Sequence, residues 1–223
     1  MALKDIKAKI GATKRMHTVT RAMEAVSAVK MRKTQGSALA GRSYARSALA
    51  ILTRIAGTEE VKKHPLAQSR EVKRVALLVM TSDKGLAGAL NSGVLRQATL
   101  AVSEYRTEDV RVYAYGRKGK EFFSRRGYQV VQAYENKQDD VPLSQMESLA
   151  DELSSGFLAG DFDKVVVAYT NFKSTFEQIP MQRRLLPLSL PALAEIVEGI
   201  VPAKGKWSTE ERLEAPAAYE VEP

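Results

Sequence analysis

The feature that most restricts this chain is an unbroken run of helix-forming residues. From Ala2 to Ala56 there is no proline, and Ala, Lys, Arg, Met, Leu, Val and Ser fill most positions. Such residues lose little side-chain freedom in a helix, so the run predicts one helix from end to end. About 54 residues at 1.5 Å each would extend roughly 80 Å, more than a small domain can cover, so much of the helix has to project. Leu3, Ile6, Ile10, Met16, Val19, Met23, Val26 and Val29 step by three, four or six and predict an apolar stripe along one side, without a strict heptad. Alanines at 22, 25, 28, 38, 40, 45, 48 and 50 keep the profile slim, as close packing against another helix requires. A lone helix cannot bury such a stripe, so a coiled-coil partner is implied, from another segment or another chain. The sequence offers no second long helix of its own.

The charge is concentrated on the same segment. The net charge of the 223 residues is +8, yet residues 1 to 56 hold 12 Lys and Arg against two acids, Asp5 and Glu24. An ordinary exposed helix intersperses Glu with Lys for pairing one turn apart, so the near absence of acids calls for a complementary acidic surface outside the helix. Nucleic acid fits less well, because Tyr44 is the only aromatic residue in the segment available for base stacking. The opening MALKDIKAKI alternates charged with apolar residues and lacks the continuous apolar core of a secretory signal, so the chain is expected to stay in its own compartment. The longest apolar stretches, such as Val75 to Met80, are strand-sized and far short of the roughly 20 residues of a membrane-spanning helix.

Beyond the helix the pattern changes. Residues 58 to 73, with Pro65 among charges, read as a connector. Val75–Met80 predicts a buried strand, followed by the turn Thr81 to Gly85 and a helix from about Ala87 to Tyr105. Val110–Tyr115 is a second strand, with a helix from near Lys118 to Arg126. Tyr128–Tyr134 is a third strand, Leu143–Leu158 a helix, and Lys164–Tyr169 a strongly apolar strand. Gln178–Leu188 reads as an extended segment, 191 to 216 as a variable stretch and 217 to 223 as a short terminal strand. Strands alternating with helices predict an α/β fold, a Rossmann-like, mostly parallel, twisted sheet with flanking helices, carrying one long protruding N-terminal coiled-coil helix. The expected divisions are 1–57 shaft, 58–73 connector, 74–190 α/β domain, 191–216 loop and 217–223 strand.

Few residues suggest chemistry. With no cysteine there is no thiol nucleophile, disulfide or zinc-thiolate site, and His17 and His64, far apart in sequence, read as surface or interface residues rather than ligands. The segment TSDKGLAGALN, residues 81 to 91, looks like a phosphate cradle, with Gly85 and Gly88 between strand and helix. It matches neither the dinucleotide nor the phosphate-loop fingerprint, so the preferred reading gives Asp83 a capping role and the glycines a tight turn. Asp139, Asp140, Asp161 and Asp163 read as solvated turn residues. No catalytic residue, metal ligand or cofactor is expected.

Several stretches together resemble the gamma subunit of the F-type, proton-translocating ATP synthase. They are IKAKIGATKRMHTVTRAMEAVSAVKMRK from Ile6 to Lys33, TSDKGLAGALN, YGRKGKEFF at 115 to 123, YTNFKSTFEQIP at 169 to 180 and LLPL at 185 to 188, with a faint return in YEVEP at the end. The resemblance implies a non-catalytic central stalk whose long helix enters the hexamer of alternating alpha and beta subunits. The α/β domain would be a foot on the membrane rotor ring of c subunits and the small epsilon subunit. By motif, Met23 with Arg21, Lys30, Arg32 and Lys33 would face acidic loops of the beta subunits, and Tyr219 and Glu220 would serve the foot. The family continues with a second long helix antiparallel to the first, which implies a fragment, or else a shortened natural product. The cysteine-bearing insertion of chloroplast forms is absent, so a peripheral position on the cytoplasmic face of a bacterial plasma membrane is expected. The competing readings are a basic coiled-coil adaptor or nucleic-acid-binding protein, and a small nucleotide-dependent enzyme using residues 81 to 91.

Overall fold

The computed structural model describes residues 3–55, 58–135, 141–189 and 191–193. The expected terminal strand, almost all of the variable stretch, and Asp139, Asp140, Tyr219 and Glu220 lie outside the described residues. The chain divides into two compact units, Met1–Tyr44 and Ala45–Pro223.

The first unit consists of helix. The run without proline forms α1, Leu3–Ile55, a continuous 53-residue α-helix with Asp5 in its first turn and Arg54 in its last, each of the sign that the helix dipole favours there. Hydroxyl residues inside it return their donors to the helix: Thr18, Thr20 and Thr34 bond to the carbonyls of Lys14, Met16 and Lys30. At its end Thr58 donates both its backbone N–H and its hydroxyl to the Ile55 carbonyl, at 2.9 and 2.7 Å.

In the second unit a short helix α2, Glu59–Lys63, and a 3-10 turn, Pro65–Ala67, lead to a five-stranded sheet. Its strands are β1 (Val75–Met80), β2 (Val110–Tyr115), β3 (Gln129–Tyr134), β4 (Lys164–Phe172) and β5 (Gln178–Leu186), in spatial order β3-β2-β1-β4-β5. The first four run parallel, and β5 pairs antiparallel with β4. The apolar run Val75–Val79 has no polar alternation because β1 is the central strand and both its faces are covered. Val75, Leu77 and Val79 pack with Val94, Ala98 and Val102 of α3 (Leu90–Val102) and Phe123 of α4 (Arg117–Ser124). Ala76 and Leu78 pack with Leu149, Leu153 and Phe157 of α5 (Leu143–Ala159) on the opposite face. The chain steps from β1 to β3 in one direction and then crosses to β4 in the other. Right-handed crossovers therefore require the helix layers to change face, as they do. Burial of each Val, Leu or Phe here contributes about 1.5–3 kcal/mol.

The expected strand bounds hold closely, with two differences. β4 continues to Phe172, and the extended segment at 178–188 is a full edge strand, because the chain turns back through residues 173–177 and completes a hairpin.

Candidate functional site

Two surfaces carry the residues singled out by sequence. On α1, the side chains of Arg21, Met23, Lys30, Arg32 and Lys33 are all exposed. At about 100° per residue, Arg21 and Arg32 fall within about 20° of each other, Met23 and Lys30 within about 20° on nearly the opposite side, and Lys33 between the two pairs. The five candidates therefore surround the helix rather than share a face.

The apolar residues do the same over a longer stretch, and this corrects the expected one-sided stripe. Leu3, Ile6, Ile10, Met16, Val19, Met23, Val26 and Val29 are between 44% and 71% exposed. Because their spacing averages about 3.25 residues, shorter than the 3.6-residue turn, the row lags by about 280° between Leu3 and Val29. The ridge winds around the cylinder.

The second surface is the carboxyl edge of the sheet, where doubly wound folds bind ligands at the point where strand order reverses, here between β1 and β4. The loop after β1 uses its polar groups internally. Ser82 donates its backbone N–H to Asn91 Oδ1 at 2.9 Å, and the Asn91 amide donates to Ser82 Oγ at 2.8 Å. Asp83 does act as a cap, but for a different helix from the one that follows it: its carboxylate accepts the Arg117 N–H at 2.8 Å, at the start of α4. The next two donors of α4 are also taken, Lys118 N–H by the Ser82 carbonyl at 3.2 Å and Gly119 N–H by Thr81 Oγ1 at 2.8 Å. A helix N-terminus that could have held an anion is thus filled by the protein's own carboxylate. Gly116, which starts α4 at φ 103°, lets this happen, since a Cβ there would lie 2.1 Å from the Thr81 carbonyl oxygen. Gly88 takes φ 55°, but the other left-handed residue in the loop is Leu86, not Gly85; it sits at φ 59° and is 98% exposed.

His64 accepts the Leu66 N–H on its Nδ1 at 3.2 Å and so caps the 3-10 turn. Asp163 differs from its expected place as a solvated turn residue. It is 8% exposed and accepts bonds from Arg70 Nε at 2.7 Å and from the Lys73 and Arg74 N–H groups at 3.0 Å each. Burial pushes its pKa up, yet the Arg74 and Lys73 backbone donors and Arg70 outweigh burial and hold the carboxyl below its ordinary value. No local sequence signal marks this role, because its donors lie some ninety residues upstream, 93 for Arg70. On the α5 side of the sheet, burial and the nearby Glu152 carboxylate push the Tyr113 phenol up to about 12.

A long cationic helix with a winding apolar ridge, joined to a doubly wound α/β unit that caps its own anion site, defines a helix-bearing α/β binding protein. The chain belongs to the ATP synthase family, whose model, described as ATP synthase, matches residues 2–223. The ATP synthase gamma chain of Pelotomaculum thermopropionicum is 36% identical over 190 residues, covering 85% of this chain and 66% of that one. That of Cupriavidus pinatubonensis is 39% identical over 197 residues, covering 87% and 68%. The chain thus spans about two thirds of the length of the curated relatives it matches. A chain in the structure of the Tetrahymena thermophila mitochondrial ATP synthase central stalk and c-ring is similar at 19% identity and a TM-score of 0.46, covering 81% of this chain and 80% of that one. Among the described residues, no helix is long and apolar enough to cross a membrane.

Proposed function

We propose that the chain is the central rotary shaft of an F-type ATP synthase, coupling proton flow through the membrane rotor ring to ATP synthesis or hydrolysis in the alpha/beta hexamer. The observation that carries this reading, in a chain of the ATP synthase family, is that the cations and apolar residues of α1 are distributed around the helix. A rod turning among several neighbours has to meet each of them with every side in turn, and an asymmetric rod then biases each neighbour differently at each angle. In this reading Arg21, Lys30, Arg32 and Lys33 meet acidic loops of the beta subunits, with Met23 packed among them. The α/β unit contacts the c subunits and epsilon, with Tyr219 and Glu220 among its contacts. The subunit itself catalyses nothing, binds no cofactor, and sits peripherally on the cytoplasmic face of the bacterial plasma membrane. The self-capped α4 supports the absence of nucleotide chemistry in the α/β unit.

The test is assembly of the chain with alpha and beta subunits, the other rotor subunits and membrane sector, followed by ATP-driven proton pumping. Assembly with pumping is the expected result. Steeply salt-dependent binding to duplex DNA, without assembly, would instead favour the basic nucleic-acid-binding reading.

A further inference from the structure

The connector between α1 and the sheet is held at one place by a buried knot. Arg70 donates Nε to Asp163 Oδ1 at 2.7 Å and Nη2 to the carbonyls of Phe157 and Phe162 at 2.8 and 2.6 Å, and its guanidinium lies 4.5 Å from the centre of the Phe157 ring. One cation thus joins the last turn of α5, the α5–β4 loop and the start of β4, at a helix C-terminus where positive charge is favoured. Asp163 then binds the Lys73 and Arg74 N–H groups, and its own N–H donates to the Arg74 carbonyl at 2.8 Å. This continues the pairing of β1 with β4, whose register begins at Val75 and Lys164. A second, apolar tether lies upstream. Leu66 packs against the α5-side core, and its carbonyl accepts the Leu188 N–H at 2.8 Å.

Force arriving along the connector without the knot would enter the sheet only through the amino end of β1. With it, the same force is divided between the central strand, β4 and α5. From this geometry we infer that Arg70 and Asp163 are positioning residues of the coupling path, anchoring the connector so that torque on α1 reaches the sheet without the connector peeling away. The inference rests on the rotary reading above.

The assembled complex tests it with Asp163→Asn, Arg70→Gln and Arg70→Lys. Two rates are compared, ATP hydrolysis without a proton gradient and ATP-driven pumping against an increasing one. Unloaded hydrolysis is expected to stay close to the parent, while pumping under load falls roughly threefold to tenfold in the Asn and Gln variants. Arg70→Lys, which keeps the charge but loses the planar fork, is expected to fall in between. Amide exchange adds an independent reading: in Arg70→Gln, whose side chain is partly exposed, residues 66 to 74 exchange faster while β1 stays protected. Pumping equal to the parent at every load would overturn the inference, as would a fall in hydrolysis proportional to the fall in pumping, which marks a purely structural role. If the parent chain itself does not assemble, the rotary reading fails first and the inference fails with it.

Discussion

Single residues here act mainly through backbone geometry and one carboxylate. Gly116→Ala places a side chain at φ 103° and against the Thr81 backbone, so a loss of at least about 2 kcal/mol is expected in urea unfolding. Leu86→Gly runs the other way. It removes a non-glycine residue from φ 59° at a side chain that is 98% exposed, so thermal unfolding should show stability unchanged or raised by up to about 1 kcal/mol. Asp163 has a pKa lowered by folding, so its contribution is complete above the ordinary aspartate pKa and is lost as pH falls through the lowered folded value. Unfolding measured from pH 6 downward should show the parent losing stability in that acid window. Asp163→Asn should start about 2 kcal/mol lower and show a flatter acid dependence.

At the scale of elements, α4 depends on a neighbour for its first turn. Asp83→Ala removes the acceptor for the Arg117 N–H, and a loss of about 1 kcal/mol is expected, with faster amide exchange confined to Arg117 and its neighbours. The elements themselves were largely legible in the sequence. β1 and β2 fall where Val75–Met80 and Val110–Tyr115 were expected, because strands buried on both faces are written as local apolar runs bounded by turn residues. The five charged and apolar candidates on α1 could be named because acid depletion is also local. What could not be read depends on partners distant in sequence. Asp83 reaches α4, 34 residues away, and Asp163 reaches the connector, so both looked like ordinary turn acids. The edge strand β5, with Pro180 and two arginines, acquires its pairing only from β4. The direction of the α1 ridge was missed for a different reason: each step of three or four looks like one face, and only the accumulated phase reveals the winding.

For the whole molecule, function in the proposed role depends on contacts distributed around α1 rather than on one pocket. Met23→Lys adds a cation next to Lys30 on the helix surface, so it should leave thermal unfolding of the chain nearly unchanged while lowering ATP-driven proton pumping in the reassembled enzyme. Unchanged pumping would argue against the contact. The winding of the apolar row also has a mechanical meaning. A ridge that lags by about 11° per residue is a screw thread: to a stationary observer beside the cylinder, a third of a turn looks the same as an axial slide of about 11 residues, or roughly 17 Å. A fixed neighbour would therefore sense rotation as the travel of an oily bump up or down its own surface.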